Sequence, residues 1–435
     1  MAAPRPAARR RAPVLALTLL LTLLAPAHAG QPVTAVPYAP AIAVIDLFGP
    51  DTAFWHQSSS GRSTLDEHET VRGRASLRID TDGDGVQVNV RAVDLPPVDL
   101  RNAHLRVVLR SDQPDGLEDL LIYLSADGFA SYDVYRVLGG DDNTAAYAGA
   151  GDWITTTVTL GTPLASVGAA VVDLGRVTGV QFSALDAGNG PVTVRVDALE
   201  AVARPARGVV SIVFDDARDG AYRLARPLLD RHGFRANVAV VVDLVGTPGF
   251  MSLDELRTVE RYAGWDVIAH HASALPDEVG FDGLADAEVA AELERVRAWL
   301  VAHGFRRGAD HLAFPHGGFD PRVIELARRH FASARTIVAG LGLETLPPAD
   351  PYRIRAWSVT RDDPPEALMA AIDRAARDRA WLVLVFHQLV DSPAEAATTY
   401  AVADMARVVA HLAAADVAVL TLPEALALPP PRPPR

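Results

Sequence analysis

The chain has no cysteine and no lysine in 435 residues. Without cysteine there can be no disulfides and no lipid-anchored cysteine after a leader, so stability outside a reducing compartment must come from core size. The absence of lysine leaves arginine as the only basic residue, a compositional bias from which no function is read. Positive charge is scarce: 41 arginines face 54 acidic residues, a net charge of −13. That balance argues against nucleic acid or an anionic membrane as partner. Beyond the first thirty residues no long apolar run occurs, so nothing in the mature chain reads as a membrane anchor.

What is present at the start is a leader. Arg5 and Arg9-Arg10-Arg11 form a basic region, residues 14–24 an apolar one, and Ala27-His28-Ala29 a small-x-small cleavage site. Residues 1–29 are therefore read as a signal peptide, and the protein is expected to be secreted or extracellular. A Pro-rich leader, residues 30–40, follows.

Two domains are expected after it. Residues 41–203 carry short alternating apolar runs near 75–79, 86–90, 105–109, 120–124, 134–138, 154–160, 180–184 and 192–196, separated by Gly- and Asp-rich turns. This spacing predicts an all-β sandwich of the jelly-roll type. Its aromatics Trp55, Tyr132, Tyr135, Tyr147 and Trp153 have two readings, core packing or platforms for sugar rings, and core packing weighs more. Asp80-x-Asp82-x-Asp84-Gly85 imitates the start of a calcium loop, but Arg91 stands where the bidentate glutamate belongs, so a turn between strands is the better reading. From 208 to 428 the pattern alternates short apolar strands with helices, which predicts an irregular (β/α) barrel of about seven strands. Residues 429–435 form a Pro-rich tail.

Polar residues stand where the apolar strands of this second half end. Asp215 and Asp216 follow 209–214, His270 and His271 follow 266–269, Pro315-His316-Gly317 follows 311–314, and His387 follows 382–386. Strand ends of one face of a barrel converge on one mouth, so two carboxylates and several imidazoles there point to metal-assisted hydrolysis. The plainer readings are helix capping for Asp215-Asp216 and packing for the histidines. His271 has the weakest claim, because neighbouring side chains on a strand face opposite ways.

Four segments in order carry a family resemblance. Val213-Phe214-Asp215-Asp216, Gly264-Trp265-Asp266-Val267-Ile268-Ala269-His270, Phe314-Pro315-His316-Gly317-Gly318 and Leu384-Val385-Phe386-His387 resemble the motifs of the NodB-homology polysaccharide deacetylases, carbohydrate esterase family 4. The segment 192–201, with 153–160, resembles the galactose-binding-like sandwiches attached to carbohydrate enzymes. The resemblance implies a metal-dependent deacetylase acting on an N- or O-acetylated polysaccharide or oligosaccharide. It implies Asp215 as general base, Asp216 and His270 as metal ligands, the His316 amide as oxyanion donor and His387 as acid. Zinc is the default divalent ion for such donors, and cobalt or nickel fits them too.

Two positions depart from the family pattern. Ala274 stands where a second histidine ligand is expected, leaving His271, another loop or water as the third donor. Ala313 stands where many members carry an arginine that orients the base, and Arg355 is a candidate to replace that charge. Two rivals therefore remain: a catalytically impaired glycan-binding protein on a deacetylase scaffold, and a hydrolase of a small non-glycan amide.

Overall fold

The computed structural model describes residues 39–139, 147–275, 279–338, 342–391 and 396–431. The expected signal peptide, nearly all of the Pro-rich leader and the last four residues of the tail lie outside them. All the described residues belong to one compact unit.

The first half forms two six-stranded antiparallel sheets. One runs in the order Arg62–Asp66, Ser76–Asp80, Thr193–Ala203, Ala103–Ser111, Trp153–Val158, with Ala41–Asp46 also paired to Thr193–Ala203. The other runs Ala165–Val167, Tyr132–Gly139, Leu117–Ser125, Gly179–Asp186, Val88–Ala92, Trp55–His56. Alternation sends Leu105, Val107 and Leu109 of one sheet and Val88, Val90, Val180 and Phe182 of the other into a shared hydrophobic core. Every run expected from the sequence is a strand. Of the strands missed, Arg62–Asp66 is a polar edge with no fully buried residue, whereas Ala41–Asp46 is apolar and packs Ile42 and Ile45 against the core. Tyr135 and Tyr147 belong to the core, whereas Trp55 is 41% exposed and Tyr132 and Trp153 are half-buried.

The second half is an eight-stranded parallel sheet. Its strands are β1 (Gly208–Phe214), β2 (Asn237–Val241), β3 (Asp266–His271), β4 (His311–Ala313), β5 (Ser333–Arg335), β6 (Trp357–Ser358), β7 (Trp381–Phe386) and β8 (Val417–Val419). The order is β5-β4-β3-β2-β1-β7-β6. β7 runs along one edge of β1, while β8 and β2 share the other, β8 at the start of β1 and β2 at its end. The buried Asn237 fills that junction, donating to the Ile212 carbonyl and accepting from the Leu422 N–H.

The sheet curls until its two ends meet. Residues 351–358 bridge them: Ala334 N–H donates to the Pro351 carbonyl (2.8 Å) and Thr336 N–H to the Ile354 carbonyl (2.8 Å), while β6 pairs with β7. Alternation then divides the side chains. Val210, Ile212 and Phe214 of β1 pack outward against the helices, while Val209 and Val213 join Ile268, Ala313, Ile354, Val383 and Val385 in a separate interior cluster. No helix among the described residues is long and apolar enough to cross a membrane.

His104, on strand Ala103–Ser111, lies at the contact between the halves, fully buried, with Nε2 3.4 Å from the Arg379 carbonyl and no partner for Nδ1 among the described residues. Burial, reinforced by Arg204, pushes it down from about 6.5 to about 3. The unfolded chain takes up that proton near pH 6.5 and the folded chain does not. The stability His104 contributes is therefore complete above pH 6.5 and drains away as the pH falls towards 3. Thermal unfolding between pH 7 and 4.5 should show wild type losing stability, with His104→Gln removing up to about 1.4 kcal/mol per pH unit from that slope. An unchanged slope would place a proton on His104 in the fold.

Candidate functional site

Interior alternation continues past the strand ends. After Val209, Ser211 and Val213 on β1, the next interior position is Asp215. After Ile268 on β3 it is His270, and after Val383 and Val385 on β7 it is His387. The three side chains meet: Asp215 Oδ2 is 4.0 Å from His270 Nε2 and 3.9 Å from His387 Nε2. Asp216 follows in a turn with φ 63°, and Ala217 continues it with φ 56°. Aspartate tolerates this left-handed backbone better than most residues, alanine less so. The Met251 N–H, bonded to the Ala217 carbonyl at 2.7 Å, helps hold the turn. Asp216 is thereby brought beside His270, 3.7 Å from Oδ1 to Nε2.

His271 should face away from His270, and it does not. The β2–β3 register slips between Val240↔Ala269 and Val241↔His271, a bulge at His270 that breaks the alternation. The two rings lie 4.8 Å apart. Glu292, on the helix Asp286–His303, accepts from the N–H groups of Ala272 and Ser273 (2.7 and 2.8 Å) and fixes the chain just beyond.

Arg335, on β5, contacts Asp215 Oδ2 from across the interior, with side-chain exposures of 1% and 3%. Burial alone would push the Asp215 carboxyl up, but Arg335, His270 and His387 outweigh it and hold the group at about 2. Asp215 is thus ionised near neutrality. Its Oδ2 is taken by Arg335, and its buried Oδ1 has no partner among the described residues. Burial pushes His270 down despite the nearby carboxylates, and pushes His271 down to about 4, with His270 adding to the effect. Both imidazoles are neutral and able to act as ligands.

Asp216, His270 and His271 offer three donor atoms within 4.8 Å of one another. Each imidazole has its Nδ1 on a backbone carbonyl, His270 on Ala313 (2.8 Å) and His271 on Ser273. A neutral ring that donates from Nδ1 presents a lone pair at Nε2, which is how ligand histidines are set. Donors about 2.1 Å from one ion lie at most about 4.2 Å apart, so the set is slightly open and must draw in on binding. The chemistry of the donors fits a divalent cation.

His316 lies in the 3₁₀ turn Pro315–Gly317 after β4, with φ 51° and an exposed side chain. His311 is a packing residue, 2.9 Å from Ser333 Oγ. The Asp82 carboxylate accepts from Ser60 and Gly61, and Asp186 accepts from Gly83 and Gly85, so the Asp-rich stretch is a braced turn.

The expectation for Arg355 is corrected. Ile354 faces the interior, so Arg355 faces out, where it pairs with Glu344 at 2.9 Å. The cation beside Asp215 is Arg335, the registered neighbour of Ala313 on the adjacent strand. Sequence reasoning missed it, although an arginine one position beyond Ala334, at a strand end in phase with Asp215 and His387, was a usable signal.

Residues 203–332 match the family profile described as polysaccharide deacetylase. That segment holds Asp215, Asp216, His270, His271 and His316, while Arg335 and His387 lie beyond it. No curated protein matches the chain. Among solved structures, a Streptococcus pyogenes deacetylase in complex with acetate is 20% identical, covering 38% of this chain and 71% of that one, with a TM-score of 0.33. A family 4 acetyl xylan esterase from Clostridium thermocellum, in complex with cobalt, is 17% identical over 49% and 88%, TM-score 0.34. A family 4 pseudoenzyme from Bacillus anthracis is 16% identical over 52% and 68%, TM-score 0.34.

Zinc titrated into chelator-treated protein should bind, and His270→Ala and His271→Ala should each weaken it by roughly 10- to 100-fold or more. Ala274→His should strengthen it. Unaltered affinity in His271→Ala would remove that residue from the ligand set.

Proposed function

We propose that the protein is a secreted, metal-dependent hydrolase that removes N- or O-acetyl groups from a polysaccharide or oligosaccharide. The observation that carries this reading is the ionised, buried Asp215 within 4.0 Å of two imidazoles, beside a three-donor cluster. The polysaccharide deacetylase match over residues 203–332 supports the substrate class, and the leader at residues 1–29 supports export.

Asp216, His270 and His271 would hold the cation, with zinc the default. A bound divalent ion supplies charge that polarises an acyl carbonyl and acidifies water. Asp215 serves as general base, taking the proton of the attacking water on Oδ1, the oxygen that Arg335 leaves open. The backbone N–H of His316, in its left-handed turn, serves the developing oxyanion. His387, 20% exposed, delivers a proton to the departing amine or alcohol as the C–N or C–O bond breaks and acetate forms. Within the N-terminal sheets, the exposed Trp55 is the aromatic best placed to meet a sugar ring, so these sheets serve as a carbohydrate-binding module.

A second reading has one observation in its favour. Ala274 offers no donor, which suits a weakened centre and a protein that binds glycan without cleaving it.

Acetate release should be measured across acetylated glycans and small amides. Wild type should act on a glycan, and Asp215→Asn and His387→Ala should each lose on the order of 10²-fold or more in turnover with metal content retained. Release from small amides alone would shift the substrate class. Metal loss in Asp215→Asn would make that residue a ligand instead of the base.

A further inference from the structure

Arg335 has one polar anchor. Its guanidinium meets Asp215, but Nε and Nη1 have no partner among the described residues. Its placement must therefore come from the backbone of β5, and that strand is only three residues long. One edge of β5 pairs with β4. Every backbone bond on the other edge goes to residues 351–354: Ala334 N–H to Pro351, Ile354 N–H to Ala334 (3.2 Å) and Thr336 N–H to Ile354.

That closing segment is held from outside the barrel. Arg353 and Arg355, the outward residues on either side of Ile354, have side-chain exposures of 4% and 2%. Arg353 Nε donates to the Tyr147 carbonyl at 3.0 Å, and its Nη2 pairs with Asp152. Arg355 donates to the Thr157 carbonyl at 3.1 Å and to Thr157 Oγ1 at 2.9 Å. All of these acceptors belong to the N-terminal half. Two guanidiniums this deeply buried tolerate no loss of partners, because an unpaired charge out of water is far costlier than a paired one.

We propose that this seam is part of the reactive centre: Arg353 and Arg355 are positioning residues that fix residues 351–354 on the edge of β5 and so set Arg335 against Asp215. The N-terminal sheets then brace the hydrolase as well as carrying any glycan surface. The catalytic arm of this proposal rests on the hydrolase reading, and the structural arm does not.

The test uses the full chain with Arg355→Met, Arg355→Lys, Arg335→Met and the Arg335/Arg355 double Met variant. Hydrogen exchange is followed in peptides covering residues 333–337, together with kcat and KM for acetate release. Arg355→Met should speed exchange there while leaving β1 and β2 unchanged. It should also lower kcat by roughly 10- to 100-fold at nearly constant KM, the scale of a small misplacement of a reacting group. Arg355→Lys should restore part of both, and the double variant should lose little beyond Arg335→Met alone. Wild-type exchange in Arg355→Met, or kcat losses that multiply in the double variant, would overturn the proposal. If the wild type releases no acetate from any substrate, the deacetylase reading falls, and the exchange result alone decides whether the seam holds β5.

Discussion

The site depends on a buried ion pair spanning the barrel, Asp215 on one wall and Arg335 on the other. Removing both charges from water is expensive, and the cost is met only when the two groups are held in contact. Contact requires the sheet to curl, because β1 and β5 are separated by three strands along it. The closing residues 351–358 are therefore part of the same device as the Asp215 carboxylate. With Arg335 in place the buried carboxylate stays ionised. His270 beside it, pushed towards neutrality by burial, keeps a lone pair available to a cation.

A second constraint is the break in alternation at the end of β3. A regular strand would have turned His271 away from the centre and left two protein donors. The bulge at His270 brings both rings to one side, and the Glu292 bonds to Ala272 and Ser273 secure the chain that follows. The candidate donor set, which lacks a histidine at position 274, thus gains its third member among the described residues from a local backbone irregularity.

This explains what could be read in advance. Period-two patterning and turn residues exposed the eight main strands of the first half, and the β/α alternation exposed the second. Asp215, Asp216, His270 and His387 were legible because each ends an apolar run. Short polar edges such as Arg62–Asp66 were not, since nothing in them alternates strongly. The bulge was invisible for a physical reason: it depends on pairing between β2 and β3, a relation between distant segments. Arg355 was named and Arg335 missed because chain position alone does not tell which face of a short strand looks inward. Ile354, once placed in the interior cluster, decides it.

In the proposed function, Asp216, His270 and His271 hold a metal whose presence allows Asp215 and His387 to release acetate. The most direct measurement is acetate release from an acetylated glycan by chelator-treated protein, with zinc restored in steps and bound zinc counted in parallel. Activity should return in proportion to occupancy and reach its plateau at one ion per chain. Full activity without metal, or a fully occupied site with no acetate released from any acetylated glycan, would contradict it.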